Sequence, residues 1–192
     1  ESVTSEAVTA QSISESEVPT TVLNANDDPV GVVVIRGDET QGGVLTASNT
    51  LTDLDGMGLV TYTWHNENDV EIGAGVTYQL TQAEVGLAVY VKASYTDGFG
   101  AQESVDSLST NVIANVNDAP TLDNPIADID TPEDAAFSYV IPANTFGDVD
   151  AGAQLVLSAK LASGDDLPSW LTFDPQNRRL SGTPVNTAVG VL

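Results

Sequence analysis

Apolar and polar residues alternate with a period of two along several stretches of this chain. In LAVYVKASY (87–95), Leu87, Val89, Val91, Ala93 and Tyr95 fall on one face. TYTWHN (61–66) puts Tyr62 and Trp64 together, and FSYVIP (137–142) does the same with Phe137, Tyr139 and Ile141. QLVLSAKL (154–161) aligns Leu155, Leu157, Ala159 and Leu161. Gly, Asp, Asn and Pro punctuate these runs about every 8–12 residues, the spacing of antiparallel sandwiches. The pattern predicts an all-β chain, with TQAEVG (81–86) as a single turn between strands.

Two echoes divide the chain. NTLTDLDG (49–56) returns as NTFGDVDAG (144–152), with the Asp-x-Asp pair preserved about 95 residues on. NANDDPVG (24–31) returns as NVNDAPTL (115–122), sharing Asn-x-Asn-Asp-x-Pro. ESVTSEAVTA (1–10) also matches ESVDSLSTNV (103–112). Residues 1–23 are therefore expected to be the end of a preceding repeat and its linker, 24–114 a first sandwich and 115–192 a second, within a longer tandem array. The second sandwich is expected to lack its final strands. RRLSGTP (178–184) reads as a strand, VNTAVG (185–190) as a turn and VL as the start of another strand.

Charge sharpens the picture. The chain of 192 residues carries 28 acidic and 5 basic side chains, a formal charge of −23. The basic residues are Arg36, Lys92, Lys160, Arg178 and Arg179, too few and too dispersed for a phosphate-binding surface, so nucleic acid is excluded as a partner. Docking to anionic membranes is disfavoured for the same reason, and no apolar run is long enough to span a bilayer. Absent cysteine excludes disulfides and thiolate metal sites. A surface this acidic is either solvated, as in halophilic proteins, or neutralised by cations. Clustering of the acids at repeated positions favours divalent cations.

The stretch 51–105, with Tyr-x-Trp in TYTWHN, the Gly-Ala pair, YQLTQAEVG and ASYTDGFG, resembles the immunoglobulin-like repeats of giant bacterial RTX-type (repeats-in-toxin) surface adhesins. LPSWLTFD followed by LSGTP makes 115–192 similar to a dystroglycan-type cadherin-like domain. The chain departs from the immunoglobulin pattern in having no cysteine on two strands and Ala88 in place of a tyrosine; no GGxGxDxxx nonapeptide occurs, so the calcium-roll part of such proteins is not represented. The resemblance implies two tandem antiparallel Greek-key sandwiches, immunoglobulin- and cadherin-like, joined by a short calcium-binding linker. It also implies an extender or scaffold segment of a secreted adhesin at the bacterial cell surface, supporting adhesion or biofilm formation. Its partners would be neighbouring domains of the same chain, with any host or surface ligand bound through an adjacent domain.

Greek-key connections alternate between two poles, which allows the acids to be placed. One pole of the first sandwich is expected to gather Asp53, Asp55 and Asp97 beside the linker residues Asn26, Asp27 and Asp28. The opposite pole would gather Asp38, Glu39 and Glu84 beside Asn117 and Asp118, with Asp148 and Asp150 facing that second linker. Calcium takes six to eight oxygens from carboxylates, amides and carbonyls, and magnesium demands a tighter octahedron, so calcium is the expected ion. It would tie one domain's pole to the next and restrict bending. Any single Asp here also serves as an ordinary turn residue bonding its own backbone.

No Ser-His-Asp set, nucleophile elbow, phosphate loop or zinc motif occurs, and carboxylates on polar turns lack the burial that acid–base catalysis needs. An enzyme is not expected. His65 reads as a solvent-facing strand residue, Trp64 and Trp170 as core plugs, and NENDVE (66–71) as a hairpin tip. The alternatives are a glycan- or peptide-binding module, or a pedestal split by an inserted ligand-binding domain.

Overall fold

The computed structural model describes residues 23–190. Segment 1–10, expected as a strand, and the strand start at 191–192 lie outside the described residues. Packing divides the chain into two compact units. Among the described residues, the first comprises 23–38 together with Val44–Gln79 and Ala88–Asn111; the second comprises Glu39–Gly43, Leu80–Leu87 and 112–190. The fold class is the expected one: all-β, with antiparallel sheets.

The first unit carries two sheets. One pairs β1 (Val33–Gly37), β2 (Val44–Asn49) and β5 (Thr77–Gln79) in the order β1-β2-β5. The other orders β3 (Thr61–Asn66), β4 (Glu71–Ala74), β6 (Val89–Thr96) and β7 (Gln102–Asp106) as β4-β3-β6-β7. Strand β6 has the period-two burial that its sequence predicts. Val89, Val91, Ala93 and Tyr95 are buried, while Tyr90, Lys92 and Ser94 on the other face are only half-buried. Register sets Trp64 opposite Val91 and Tyr62 opposite Ala93. Val33, Leu45, Ala47 and Leu51 supply buried apolar side chains from the other side of the unit.

Trp64 is fully buried, stacks on Tyr78 at 5.9 Å and donates its indole N–H to the Gly75 carbonyl at 2.9 Å. His65 lies on the opposite face of β3, as expected. It is half-buried rather than free, stacked on Tyr90 at 5.1 Å with Nε2 3.0 Å from the Thr63 hydroxyl. NENDVE forms the β3–β4 hairpin tip, where Asp69 takes a left-handed φ of 61°.

In the second unit, β8 (Thr121–Leu122) pairs with β10 (Phe146–Gly147). Strands β9 (Phe137–Val140), β11 (Leu171–Asp174) and β12 (Arg179–Gly182) form a sheet in the order β11-β12-β9. Asp174 closes the β11–β12 hairpin, its Oδ1 accepting from the amides of Gln176 and Asn177. The side-chain bond from Asn177, then its backbone bond, lowers the Asp174 carboxyl below the usual range. TQAEVG forms the expected single turn, a 3-10 helix at Gln82–Glu84.

One expected strand is absent. Residues 154–161 pair with no other strand among the described residues, although Leu157, Ala159 and Leu161 keep alternate half-burial. Period-two patterning specifies a face, and a strand also needs a neighbour to take its backbone bonds. Trp170 likewise departs from a core plug: it is half-buried at the edge of a cleft.

Candidate metal centre

The two Asp-x-Asp turns are built in the same way. In the first, the Asp55 amide donates to Asp53 Oδ1 at 2.8 Å, and Asp55 Oδ2 accepts the linker amide of Asp27 at 2.7 Å. In the second, the Asp150 amide donates to Asp148 Oδ1 at 2.9 Å, and Asp150 Oδ2 accepts the linker amide of Asp118 at 2.8 Å. Each first Asp closes its own turn. Each second Asp holds the backbone of an Asn-x-Asn-Asp-x-Pro linker. These are charge-assisted bonds from carboxylate to main chain, stronger than neutral ones.

At the first turn the structure brings together DLDG, YTDGFG and the linker amide of Asp27. Gly98 N donates to Asp55 O at 3.0 Å, joining YTDGFG to DLDG. Glycine is required there, because a Cβ on Gly98 would lie 2.5 Å from that carbonyl. Asp97 Oδ1 accepts from Phe99 N at 2.9 Å and Ala101 N at 2.7 Å. Its Oδ2 is buried and has no hydrogen-bond partner, and both Asp55 and Asp97 are only 7% exposed. Asp28 is exposed, and Asn26 donates to Glu103 Oε1 at 2.7 Å.

At the second turn, Asn115 donates to Asp150 Oδ1 at 3.0 Å and Gln41 donates to Asp118 Oδ2 at 2.7 Å. Asn117 turns its side-chain amide onto the Asp118 carbonyl. Glu39 contributes its carbonyl to Ala114 N at 3.0 Å, which brings its loop to the linker. Glu84 serves its own short helix instead. Its Oε2 accepts from the Thr81 amide and hydroxyl, both at 2.8 Å, in a capping box. Among the described residues, no three His, Asp or Glu side chains are gathered as a ready-made metal cluster.

Tyr95 was missed in the sequence, although it stands two residues before Asp97. Its buried hydroxyl donates to Asp53 Oδ2 at 2.5 Å. Burial first, then this bond and the charges of Asp53, Glu103 and Asp97, raise its ionisation well above that of an ordinary phenol. The folded state therefore holds this proton more tightly than the unfolded chain. The resulting stability is complete below about pH 10 and drains as pH rises through the folded value. Urea midpoints measured from about pH 8 to 11 are expected to fall at the alkaline end, and Tyr95→Phe to flatten that fall. Equal slopes in both proteins would contradict this.

Oxygen donors from carboxylate, amide and main chain are those that calcium uses. The first turn fits such an ion best, since Asp97 Oδ2 is buried without a partner. With fewer than three carboxylates gathered, carbonyls and water would complete the shell.

A family model described as "Putative Ig domain" matches residues 119–192. That segment is thus similar to an immunoglobulin-like domain, which fits an extracellular structural or adhesin-type module, typically non-enzymatic. No curated protein and no solved structure matches the chain. Among the described residues, no helix is long and apolar enough to cross a membrane.

Proposed function

We propose that this chain is a calcium-stabilised structural segment, an extender or scaffold, of a secreted bacterial cell-surface adhesin of the RTX type. Calcium at each Asp-x-Asp turn would fix the adjoining linker, so that a long surface chain keeps its reach. Asp97 Oδ2 is the observation that carries the cation: a buried carboxylate oxygen with no protein partner. Ionised groups are costly to bury unless paired or bound to metal. Binding to the folded state alone stabilises by mass action, by about 2.7 kcal/mol when free calcium is about 100 times Kd. Thermal melting in calcium and in chelator tests this, with a clear rise in calcium expected. Identical melting curves would refute it.

A second reading, a glycan- or peptide-binding module, is favoured by a cleft of about 750 Å³ in the second unit. Trp170, Pro132, Pro184 and Val185 line it together with Asp128 and Asp130. One indole beside apolar residues, with Asp128, Asp130, Thr131 and Glu133 as polar groups, could hold a small polar ligand. Binding of this chain to a glycan or peptide array, abolished by Trp170→Ala, would favour that reading over the scaffold.

A further inference from the structure

In the second unit, residues 154–160 have main-chain groups to spare. Among the described residues, none of their N–H or carbonyl groups is hydrogen-bonded. Leu157, Ala159 and Leu161 are half-buried at alternate positions, while Val156 is 91% exposed. An apolar run with free main-chain donors and acceptors is a template for a further strand. Leu155 and Leu157 also form one wall of a cleft of about 320 Å³, whose other walls include Pro142, Phe146, Pro175 and Arg178. This cleft shares no residue with the one at Trp170. Arg178 is the only charged residue lining it. Its φ of 51° lies in the left-handed region, and its carbonyl accepts the Ile141 amide at 2.8 Å, so its backbone is held in place. The guanidinium forms no ion pair and no side-chain hydrogen bond among the described residues, in a chain with 28 acidic side chains.

We propose that residues 154–160 and this cleft form a docking site for an extended acidic peptide segment of a partner protein, added as a β-strand. Main-chain bonds along 154–160 would supply affinity, and side chains at alternate positions would supply selectivity. One apolar side chain of the peptide enters between Phe146, Leu155 and Leu157. A carboxylate on the same face pairs with Arg178, whose planar fork matches it. Charge selects this occupant. No acidic residue stands in 151–164 or in 175–192, so both sides of the site accept an acidic strand without repulsion. The same strand of a second copy would bring no carboxylate to Arg178, and a basic peptide would be repelled by it.

The test is panning of a phage-displayed random heptapeptide library on the full chain in chelator, so that its outcome is separate from calcium binding. Affinities of the enriched peptides are then measured by fluorescence anisotropy. These peptides are expected to carry Asp or Glu with an apolar residue two positions away. Arg178→Gln is expected to weaken their binding at least about tenfold, the loss of one charge-assisted contact, and Arg178→Lys to recover part of it. Ser158→Pro removes a main-chain donor and is expected to weaken binding at least about fivefold. Trp170→Ala should leave it unchanged. Circular dichroism checks folding, and should Ser158→Pro fail to fold, the two Arg178 variants decide. Failure to enrich any peptide, enrichment of peptides without an acid, or binding indifferent to Arg178→Gln overturns the proposal. Self-association of the chain that Ser158→Pro abolishes would assign the strand to a second copy and overturn it as well.

Discussion

Replacing Trp64 by Ala is expected to unfold the first unit or to lower its stability by about 3–5 kcal/mol, the range for deleting a large buried aromatic. The side chain is fully enclosed, and its loss leaves a cavity between the two sheets of the unit. The stack on Tyr78 goes with it, and the Gly75 carbonyl loses its indole donor. Domains of this size are stable by only about 5–15 kcal/mol, so a large share would be removed. Trp64→Phe keeps an aromatic ring and loses mainly the hydrogen bond and some volume. It should cost about 1–3 kcal/mol. Urea unfolding followed by circular dichroism measures both variants. A loss below about 1 kcal/mol for the alanine variant would mean that the core is not organised around this ring.

The second large effect is an inversion of sign at Asp97. In chelator, the wild-type chain keeps a buried, unpartnered carboxylate oxygen. Asp97→Asn removes that charge while retaining an acceptor for Phe99 and Ala101. The variant is therefore expected to be more stable than wild type in chelator, by about 1 kcal/mol. In calcium the order reverses, because wild type gains binding energy that the variant largely forgoes. Paired thermal melts give all four values. A variant destabilised equally in both conditions would show that Asp97 acts only through its turn.

The strands that were legible in the sequence are those whose alternation coincides with at least one paired neighbour. Strand β6 is the clearest, since β3 and β7 flank it and every second side chain is buried. Residues 154–161 alternate equally well yet pair with nothing described, because periodicity carries no information about a neighbour. The duplicated Asp-x-Asp and Asn-x-Asn-Asp-x-Pro motifs were visible, and so was their convergence. The donor that joins them was not: it is a main-chain amide, Asp27 or Asp118, which any residue but proline could supply. Glu84 was placed by pole alone. Thr81 and Glu84 also have the Thr-x-x-Glu spacing of a capping box, which accounts for its carboxylate. The Tyr95–Asp53 bond spans 42 residues and depends on strand register, beyond the reach of local patterning.

On the proposed function, calcium would lock each linker amide onto the second Asp of its turn. Hydrogen exchange at the Asp27 and Asp118 amides, read by nuclear magnetic resonance in calcium and in chelator, measures that directly. Both amides are expected to be protected without calcium, by the carboxylate bond alone, and to slow at least about tenfold further when it is added. Exchange rates that are the same with calcium and with chelator at both amides would contradict the claim.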